Sequence, residues 1–598
     1  MTEQLRRIDS IKEKSTEMPT NFEEAIALTG SGRFHYVLLM VSGLCMMGVM
    51  IEIFSTSFLL PSAQCDFKFS SEEKGLLNSI CMIGMICSSH MWGFLADTRG
   101  RRKVLIVALL MDSIATILSA FAHAFWLFLI LRFFNGFFIV APATVLYAYL
   151  GEFHAVQTRS KAILWVCIFL GIGIAVQPGM AWLVIPQTWS FELPWCTFNS
   201  WRIFVLLCAV PGLLAAIFLA LWFPESPKFL MVVDKKEEAL EVLRDMYARN
   251  TGNSPQRFPV KSLVLLEDGS SNPLKNVKPT LLGILQHMWR QTVPLLMPPF
   301  VLKTLLVCII QFGLYASANG LSLWLPDIFN HLAAYSTLHP GSSGSICQAY
   351  AITTNNSISE NSHNNLSTTL SINDTIYFTC DIDQVILKVN NEITPFSNET
   401  DIFQCQNGSL LRPKNSDMLL FDIEGGNVTV SVLNETMKRL FSTETSSCNP
   451  DVDLSVFQNT FILGIVNAAS LYIVGHLIGP FSKKTILVTN LTLGGIAGFV
   501  LNYVYTMWEV LLVGGILVTL SGMCISLLVS TVVEMFPTHL RAMAVCLSLM
   551  IGRFGSVCIN MLMGILLEAN CTLMIFLMGG ICTTCGLLCI LLPSPKKI

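Results

Sequence analysis

The sequence is short of charge. Only 13% of its 598 residues are Asp, Glu, Lys or Arg, against roughly a quarter in a soluble globular chain, and 53% are hydrophobic. A chain with so little to offer water places most of its surface in lipid, so the bilayer is its first expected partner. It also lacks an excess of positive charge. The net charge of −3 argues against nucleic acid as a partner, because phosphate recognition needs a basic surface. It lacks a phosphate-cradling glycine loop of Walker type, which argues against ATP-driven work. No His/Cys group has metal-ligand spacing and no set of residues suggests an enzyme, so neither a metal nor a cofactor is expected. No secretory signal peptide is visible, and no cleaved leader is expected. The first 33 residues are polar and run straight into a long apolar segment, which reads as a cytosolic tail before an uncleaved span.

What the chain has instead is apolar runs. Crossing the hydrocarbon core takes about 20 apolar residues. Runs of that grade fall at 35–60, 75–97, 104–124, 126–151, 161–186 and 201–223. A second set falls at 300–329, 457–480, 485–506, 509–533, 542–567 and 571–592. The expected fold is therefore all-α and membrane-embedded, with twelve helices in two six-helix bundles. The expected segments are a cytosolic tail (1–33), an N-terminal bundle (34–223), a cytosolic loop (224–299) and helix 7 (300–331). A luminal or extracellular loop domain (332–453), helices 8–12 (454–592) and a short cytosolic tail (593–598) follow.

Positive charge fixes the orientation. Arg99, Arg101, Arg102, Lys103, Arg159, Lys161, Lys483, Lys484 and Arg541 all fall in gaps on the side of the termini, which is thereby cytoplasmic. The loop at 335–453 points the same way. It holds seven Asn-x-Ser/Thr sequons, at Asn355, Asn365, Asn373, Asn398, Asn407, Asn427 and Asn434, so it is expected to be glycosylated. Four of the 19 cysteines, Cys347, Cys380, Cys405 and Cys448, lie in it, and an oxidising compartment lets them form two bridges in one of three pairings. Cys65, Cys196 and Cys571 are expected on the same side. Runs such as "DTIYFTC", "DQVILKVN" and "GGNVTVSVL" alternate and are β-branched, so the loop is expected to be β-rich.

One gap stands out. "GFLADTRGRRK" (93–103) packs one acid and four basic residues between two spans. Gly93 and Gly100 allow close helix approach and a sharp turn. The basic residues obey the charge rule, but Asp97, near a helix C-terminus, is badly placed for the helix dipole and calls for a cation such as Arg101. Similar charges recur in both halves. "YLGEFHAVQTRSK" carries Glu152 and Arg159 after span four, and "VVEMFPTHLRAM" carries Glu534 and Arg541 after span ten. "GHLIGPFSKK" (475–484) keeps Gly475, Gly479 and two lysines but has no acid. "FPESPKF" (223–229) follows span six.

The stretch 93–103 matches the G-x-x-x-D-x-x-G-R-R-K signature of the major facilitator superfamily, and the chain resembles that superfamily. The resemblance implies that Gly93, Asp97, Gly100, Arg101, Arg102, Glu152, Arg159, Glu534 and Arg541 belong to a cytoplasmic gate between the two bundles. "FLLPSAQCD" (58–66), "WSFELPWCTFNSWRIFVLLCAVPG" (189–212) and "LWLPDIFN" (323–330), together with the sequon-rich loop after span seven, look like the synaptic vesicle glycoprotein 2 family and the vesicle-two-related transporters. The chain departs from that pattern in span one, where "MGVMIEIF" keeps Glu52 but has Val49 where the family carries an Asp. It also departs in span ten, where the family carries an acid and an aromatic in the membrane portion but "MCISLLVSTVVEMF" has neither ahead of Glu534.

An acid inside a span is a functional candidate by default. Glu52 lies mid-span, and Asp112 in span three is a second such acid, placed nearer the lipid interface. Arg132, in "LRFFNG" of span four, is expected to pair with an acid or with backbone at the bundle centre. Tyr147, Trp165, Gln177, Gln311, Tyr315 and Asn319 are candidate cavity-lining residues, with helix packing as the plainer alternative. Two functions fit. One is secondary transport of a small organic solute, an organic ion or a sugar-like molecule with or without protons, in a vesicle or plasma membrane. The other is a non-transporting glycoprotein that keeps the fold as a scaffold for vesicle-trafficking proteins.

Overall fold

The structure is a computed structural model. It describes residues 20–194, 196–264, 289, 292–339, 344–351, 453–477, 482–536 and 538–593, together with seven short strands between 376 and 431. For those strands, for 471–477 and for a few single positions, among them Cys65, Cys196 and Arg541, only the backbone is described. The chain divides into two compact units, Met1–Ala351 with Pro450–Ile598, and Ile352–Asn449.

The first unit is helical. In hydrocarbon every backbone N–H and C=O must be satisfied within its own segment, and the helix does this for any apolar sequence. After a short amphipathic helix α1 (Phe22–Leu28) come α2 (Arg33–Phe67), α3 (Ser71–Arg99), α4 (Arg101–Ala120), α5 (Phe125–Glu152), α6 (Val156–Val184) and α7 (Ser200–Trp222). Two short helices, α8 (Pro227–Val232) and α9 (Lys236–Thr251), follow. Then come α10 (Val301–Leu338), α11 (Leu454–Leu477), α12 (Lys483–Val500), α13 (Met507–Met535) and α14 (Thr538–Cys589). Among the described residues ten helices are long and apolar enough to cross a membrane. Two of the expected segments, 542–567 and 571–592, run together in α14, whose backbone leaves helical geometry at Asn570 (φ −157°, ψ 74°).

Local chemistry sets the ends. Ser70 accepts from the Glu73 N–H while the Glu73 carboxylate accepts from Ser70 N–H, a capping box that starts α3. Thr506 and Glu509 start α13 the same way. Gly100 separates α3 from α4 at φ +102°, a conformation only glycine adopts cheaply. Gly93 has nothing within 4 Å of where a Cβ would stand, so the close approach expected there is not made.

α2–α7 form one half and α10–α14 the other. The halves meet along α3 against α14 and α6 against α11. At the first crossing a Cβ on Gly75 would stand 2.8 Å from the Asn560 carbonyl, so only glycine allows this approach. At one end of the N-terminal half, β1 (Thr20–Asn21) pairs in parallel with β4 (Leu263–Val264), tying the segment before α1 to the loop after α9. The side chain of Asn250 donates to the carbonyls of Thr29 and Gly30 and accepts from Phe34 N–H. At the other end of this half, β2 (Ser190–Leu193) and β3 (Cys196–Asn199) form a hairpin before α7.

The second unit, taken by itself, holds a five-stranded antiparallel sheet. It is built from β5 (Ile376–Asp381), β6 (Gln384–Val389), β7 (Glu392–Phe396), β10 (Leu420–Glu424) and β11 (Asn427–Ser431), in the order β10-β11-β5-β6-β7. A two-stranded ribbon of β8 (Gln404–Gln406) and β9 (Ser409–Leu411) accompanies it.

Candidate functional site

The N-terminal half encloses a charged network. Glu52 on α2 and Arg132 on α5 lie 3.2 Å apart, Oε2 to Nη1, and both are buried. Thr116 on α4 donates to the other Glu52 oxygen at 2.7 Å, and Arg132 donates to Ser55 at 3.0 Å. Asn135 donates to Thr116 and, at 3.2 Å, to Asp112 Oδ1. Two charges this deep persist only when each answers the other and further hydrogen bonds fill the remaining lone pairs. The Arg132 guanidinium also sits 5.1 Å over the Phe128 ring, while its Nε and Nη2 have no partner among the described residues. Asp112 is 1% exposed in this network, so its expected place near the lipid interface is corrected: Asn135 and the walls of α4, α5 and α7 enclose it.

Both halves line a small cavity. Phe54, Phe58 and Gln177 come from one side, and Ser322, Thr460 and Asn467 from the other. Its volume of about 50 Å³ admits about three or four waters and is too small for an organic solute. Gln177 is buried and donates to the Ile51 carbonyl at 2.8 Å. Gln311 is fully buried, and among the described residues neither its amide nitrogen nor its oxygen has a partner. Asn319 and Tyr315, on the same helix, are half-buried. Trp165 is 57% exposed and is not among the residues that line this cavity.

The charges around "GFLADTRGRRK" stay within one half. Arg101 reaches Asp97 and Glu152, each at 3.2 Å. The Asp97 side chain is 69% exposed, whereas that of Glu152 is 14% exposed, so Glu152 is the more enclosed partner. Arg102 donates to the carbonyls of Leu219 and Ala220, and its backbone N–H donates to Glu225 of "FPESPKF". Glu225 also crowds the place where a Cβ on Gly100 would stand. Glu152 and Arg159, read as one motif, are not partnered: Arg159 pairs with Glu23 and donates to the Gly151 carbonyl. In the other half Glu534 pairs with Lys483. Gly475 lies in the last turns of α11, of which only the backbone is described; the Arg541 side chain, Gly479 and the side chains of all seven sequon asparagines lie outside what is described.

The opposite end joins the halves. Lys74, in the first turn of α3, lies 3.3 Å from Asp327 on α10. Tyr350 donates to the other Asp327 oxygen at 2.8 Å, and His331 stands 3.6 Å from it. Burial and the neighbouring Asp327 push the Tyr350 phenol well up, so it stays protonated as a donor. Ser71 donates to Glu568 across the same seam. Cys347, three residues from Tyr350, is bridged to Cys571 on α14. The pairing of Cys347 with another loop cysteine is therefore corrected. Cys571 directly follows Asn570, where the backbone of α14 leaves helical geometry. The side chains of Cys380, Cys405 and Cys448 are outside what is described.

Sequence reasoning missed Lys74, Asp327, Glu225 and Arg553. Asp327 sits in plain view in "LWLPDIFN", and an acid so close to a span asks for a partner. Arg553, in "LSLMIGRFGSV", is a charge inside a span that the same rule flags.

A sequence profile of the Major Facilitator Superfamily matches residues 40–355, more than half of the chain. The chain belongs to the major facilitator superfamily. The superfamily is one of membrane transporters rather than enzymes. The chain is 31% identical over 332 residues to synaptic vesicle glycoprotein 2A of Rattus norvegicus, covering 53% of this chain and 45% of that one. It is 31% identical over 333 residues to synaptic vesicle glycoprotein 2B of Mus musculus, covering 53% and 49%. The match thus spans about half the length of these curated relatives. In three dimensions it resembles the inward open conformation of the xylose transporter XylE from E. coli, with a TM-score of 0.58 and 12% identity over 94% of this chain and 97% of that one. A D-xylose-proton symporter gives 0.56 with 11% identity over 94% and 99%. At that identity the likeness concerns the fold alone.

Proposed function

We propose that this protein is a secondary transporter that moves a small organic solute between its two halves by alternating access. In this reading twelve helices span the membrane, both termini are cytosolic, and the sequon-bearing unit is luminal or extracellular. The observation that carries it is the placement of charge. Among the described residues Lys74–Asp327 is the ion pair that links the halves, and it lies at the end away from the termini. The pairs near the termini, Arg101–Glu152, Arg159–Glu23 and Lys483–Glu534, each stay inside one half. Such a molecule is held shut at one end and free to part at the other. Glu52 and Arg132 supply a protonatable pair at depth, which suits proton coupling: a proton arriving on Glu52 releases Arg132 and loosens α2 from α5.

Uptake of labelled sugars and organic ions into vesicles reconstituted with the full chain, with and without a proton gradient, tests this reading. Saturable uptake that follows the gradient is the expected result. A correctly folded protein that moves none of them supports the second reading, a membrane scaffold in vesicle trafficking. The likeness to synaptic vesicle glycoproteins 2A and 2B favours that alternative.

A further inference from the structure

Among the described residues three arginines are buried within the helices of the first unit, and two are answered by acids. Arg132 faces Glu52, and Arg202 faces Asp66 and the carbonyls of Ala120 and Ala122. The third, Arg553 on α14, is 6% exposed and makes no ion pair among the described residues. Its described hydrogen bond runs to the Ser89 hydroxyl on α3, across the seam between the halves, at 3.3 Å. A guanidinium carries five N–H donors and keeps its charge at any ordinary pH. Held inside a span without a counter-charge, it is costly.

A second observation lies beside it. Gly552 packs against α10 so closely that a Cβ there would stand 2.6 Å from the Tyr315 ring and 2.9 Å from Gln311 Cγ. Gln311 is 0% exposed, and both polar atoms of its amide lack a partner among the described residues. Tyr315 lies within the electrostatic reach of Arg553, and Tyr147, on α5 of the other half, lies within reach of Tyr315. A cation short of an anion thus follows directly on the α14 glycine that packs against Gln311 and Tyr315, on the side of α14 that meets the other half through Ser89. Glu52 and Asp112, the nearby buried acids, are already held by Arg132, Thr116 and Asn135.

We infer that Arg553 is the anion-binding element of the solute site and that the solute carries a carboxylate. The flat guanidinium takes both carboxylate oxygens side by side. The Gln311 amide supplies a further donor, and the Tyr147 and Tyr315 rings wall the apolar body of the solute. This deepens the transport reading and rests on it, because a carboxylate held between the halves is released when they part.

The test uses the full-length protein purified in detergent, with thermal unfolding and calorimetry. Three probes share one size and differ in charge: benzoate, benzyl alcohol and benzylamine. Benzoate is expected to stabilise the wild type, and the other two are not. Arg553→Gln should abolish the benzoate response and Arg553→Lys should weaken binding about tenfold, since a point charge replaces a two-pronged donor. If Arg553→Gln does not fold, Gln311→Leu, which keeps the guanidinium, should weaken benzoate several-fold. Equal benzoate binding in wild type and both variants overturns the inference, as does a failure of benzoate to bind the wild type. Benzoate binding without any solute flux overturns the transport reading alone. Proton-driven flux of an uncharged sugar, without benzoate binding, overturns this inference alone.

Discussion

Lys74 Nζ and Asp327 Oδ1 lie 3.3 Å apart on opposite halves of the molecule, with the carboxylate side chain 2% and the lysine side chain 13% exposed. Stripping one partner from a pair this enclosed costs roughly 3–5 kcal/mol when burial is complete, and less here because Lys74 touches solvent. Asp327→Asn is expected to loosen this end. A cysteine placed at Ser322, on the cavity wall, should then label faster in a chain whose reactive native thiols have been replaced. The swap Lys74→Asp with Asp327→Lys should return labelling toward the wild-type rate. Unchanged labelling in the single variant removes the pair from gating.

Glu52 and Arg132 give a different pattern, because both belong to one half. Removing either alone leaves a buried charge, so Glu52→Leu and Arg132→Met should each lower the melting temperature. The double variant should be more stable than either single one by about 2 kcal/mol, since replacing a whole buried pair with apolar groups is often neutral. If the double variant melts no higher than the worse single one, the charges are not each other's main partners.

How much of this was legible in the sequence depends on the range of the forces. Apolar run length is local, so α2 to α7 and α10 to α13 fall close to the runs that announce them. Alternation is local too, and "DTIYFTC" and "DQVILKVN" contain β5 and β6. The partner of Arg101 was half legible: Asp97 is four residues away, but Glu152 comes from another helix. Lys74–Asp327 and Cys347–Cys571 join residues more than two hundred positions apart, and nothing in the residues at either end names the other. The departure of Gly93 from its expected role has the same origin: a glycine permits close approach, but a neighbouring helix must come to use it.

The Cys347–Cys571 bridge closes a loop of 224 residues. Breaking it with Cys571→Ser should cost about 2–4 kcal/mol of stability and release Cys347 for labelling by a thiol reagent. Peptide mapping of the unreduced protein should recover the two segments joined. A Cys347 found joined to Cys380, Cys405 or Cys448 contradicts this pairing.

His154 gives a pH dependence outside the membrane spans. Burial holds its imidazole down to about 4, with His35 and Arg159 adding to the effect against the Leu150 carbonyl it contacts. The native state therefore keeps His154 neutral, while the unfolded chain takes up the proton near its ordinary value of about 6.5. Stability should be full above about 6.5 and fall as the pH drops toward about 4, by an amount on the order of 3 kcal/mol. His154→Gln should flatten that part of the melting temperature against pH. A variant that keeps the wild-type slope assigns it to another group.

Arg101 has two acidic partners, and their exposure ranks them. The Asp97 side chain is 69% exposed and four residues away on the chain, so that pair resembles a surface ion pair worth about 0–1 kcal/mol. Glu152 is enclosed between α4, α5 and the segment after α7, and losing its charge leaves Arg101 without its shielded partner. Asp97→Asn should therefore change stability little, and Glu152→Gln clearly more. Both remove one negative charge from the same cluster, so a difference between them reflects burial and not net charge. If the motif served only to orient the chain, neither variant would matter to conformation, because acids contribute little to the positive-inside rule. Thiol accessibility near the ends of α3 and α5, compared between the two variants, decides the matter. Wild-type accessibility in Glu152→Gln would leave this cluster with a topological role alone.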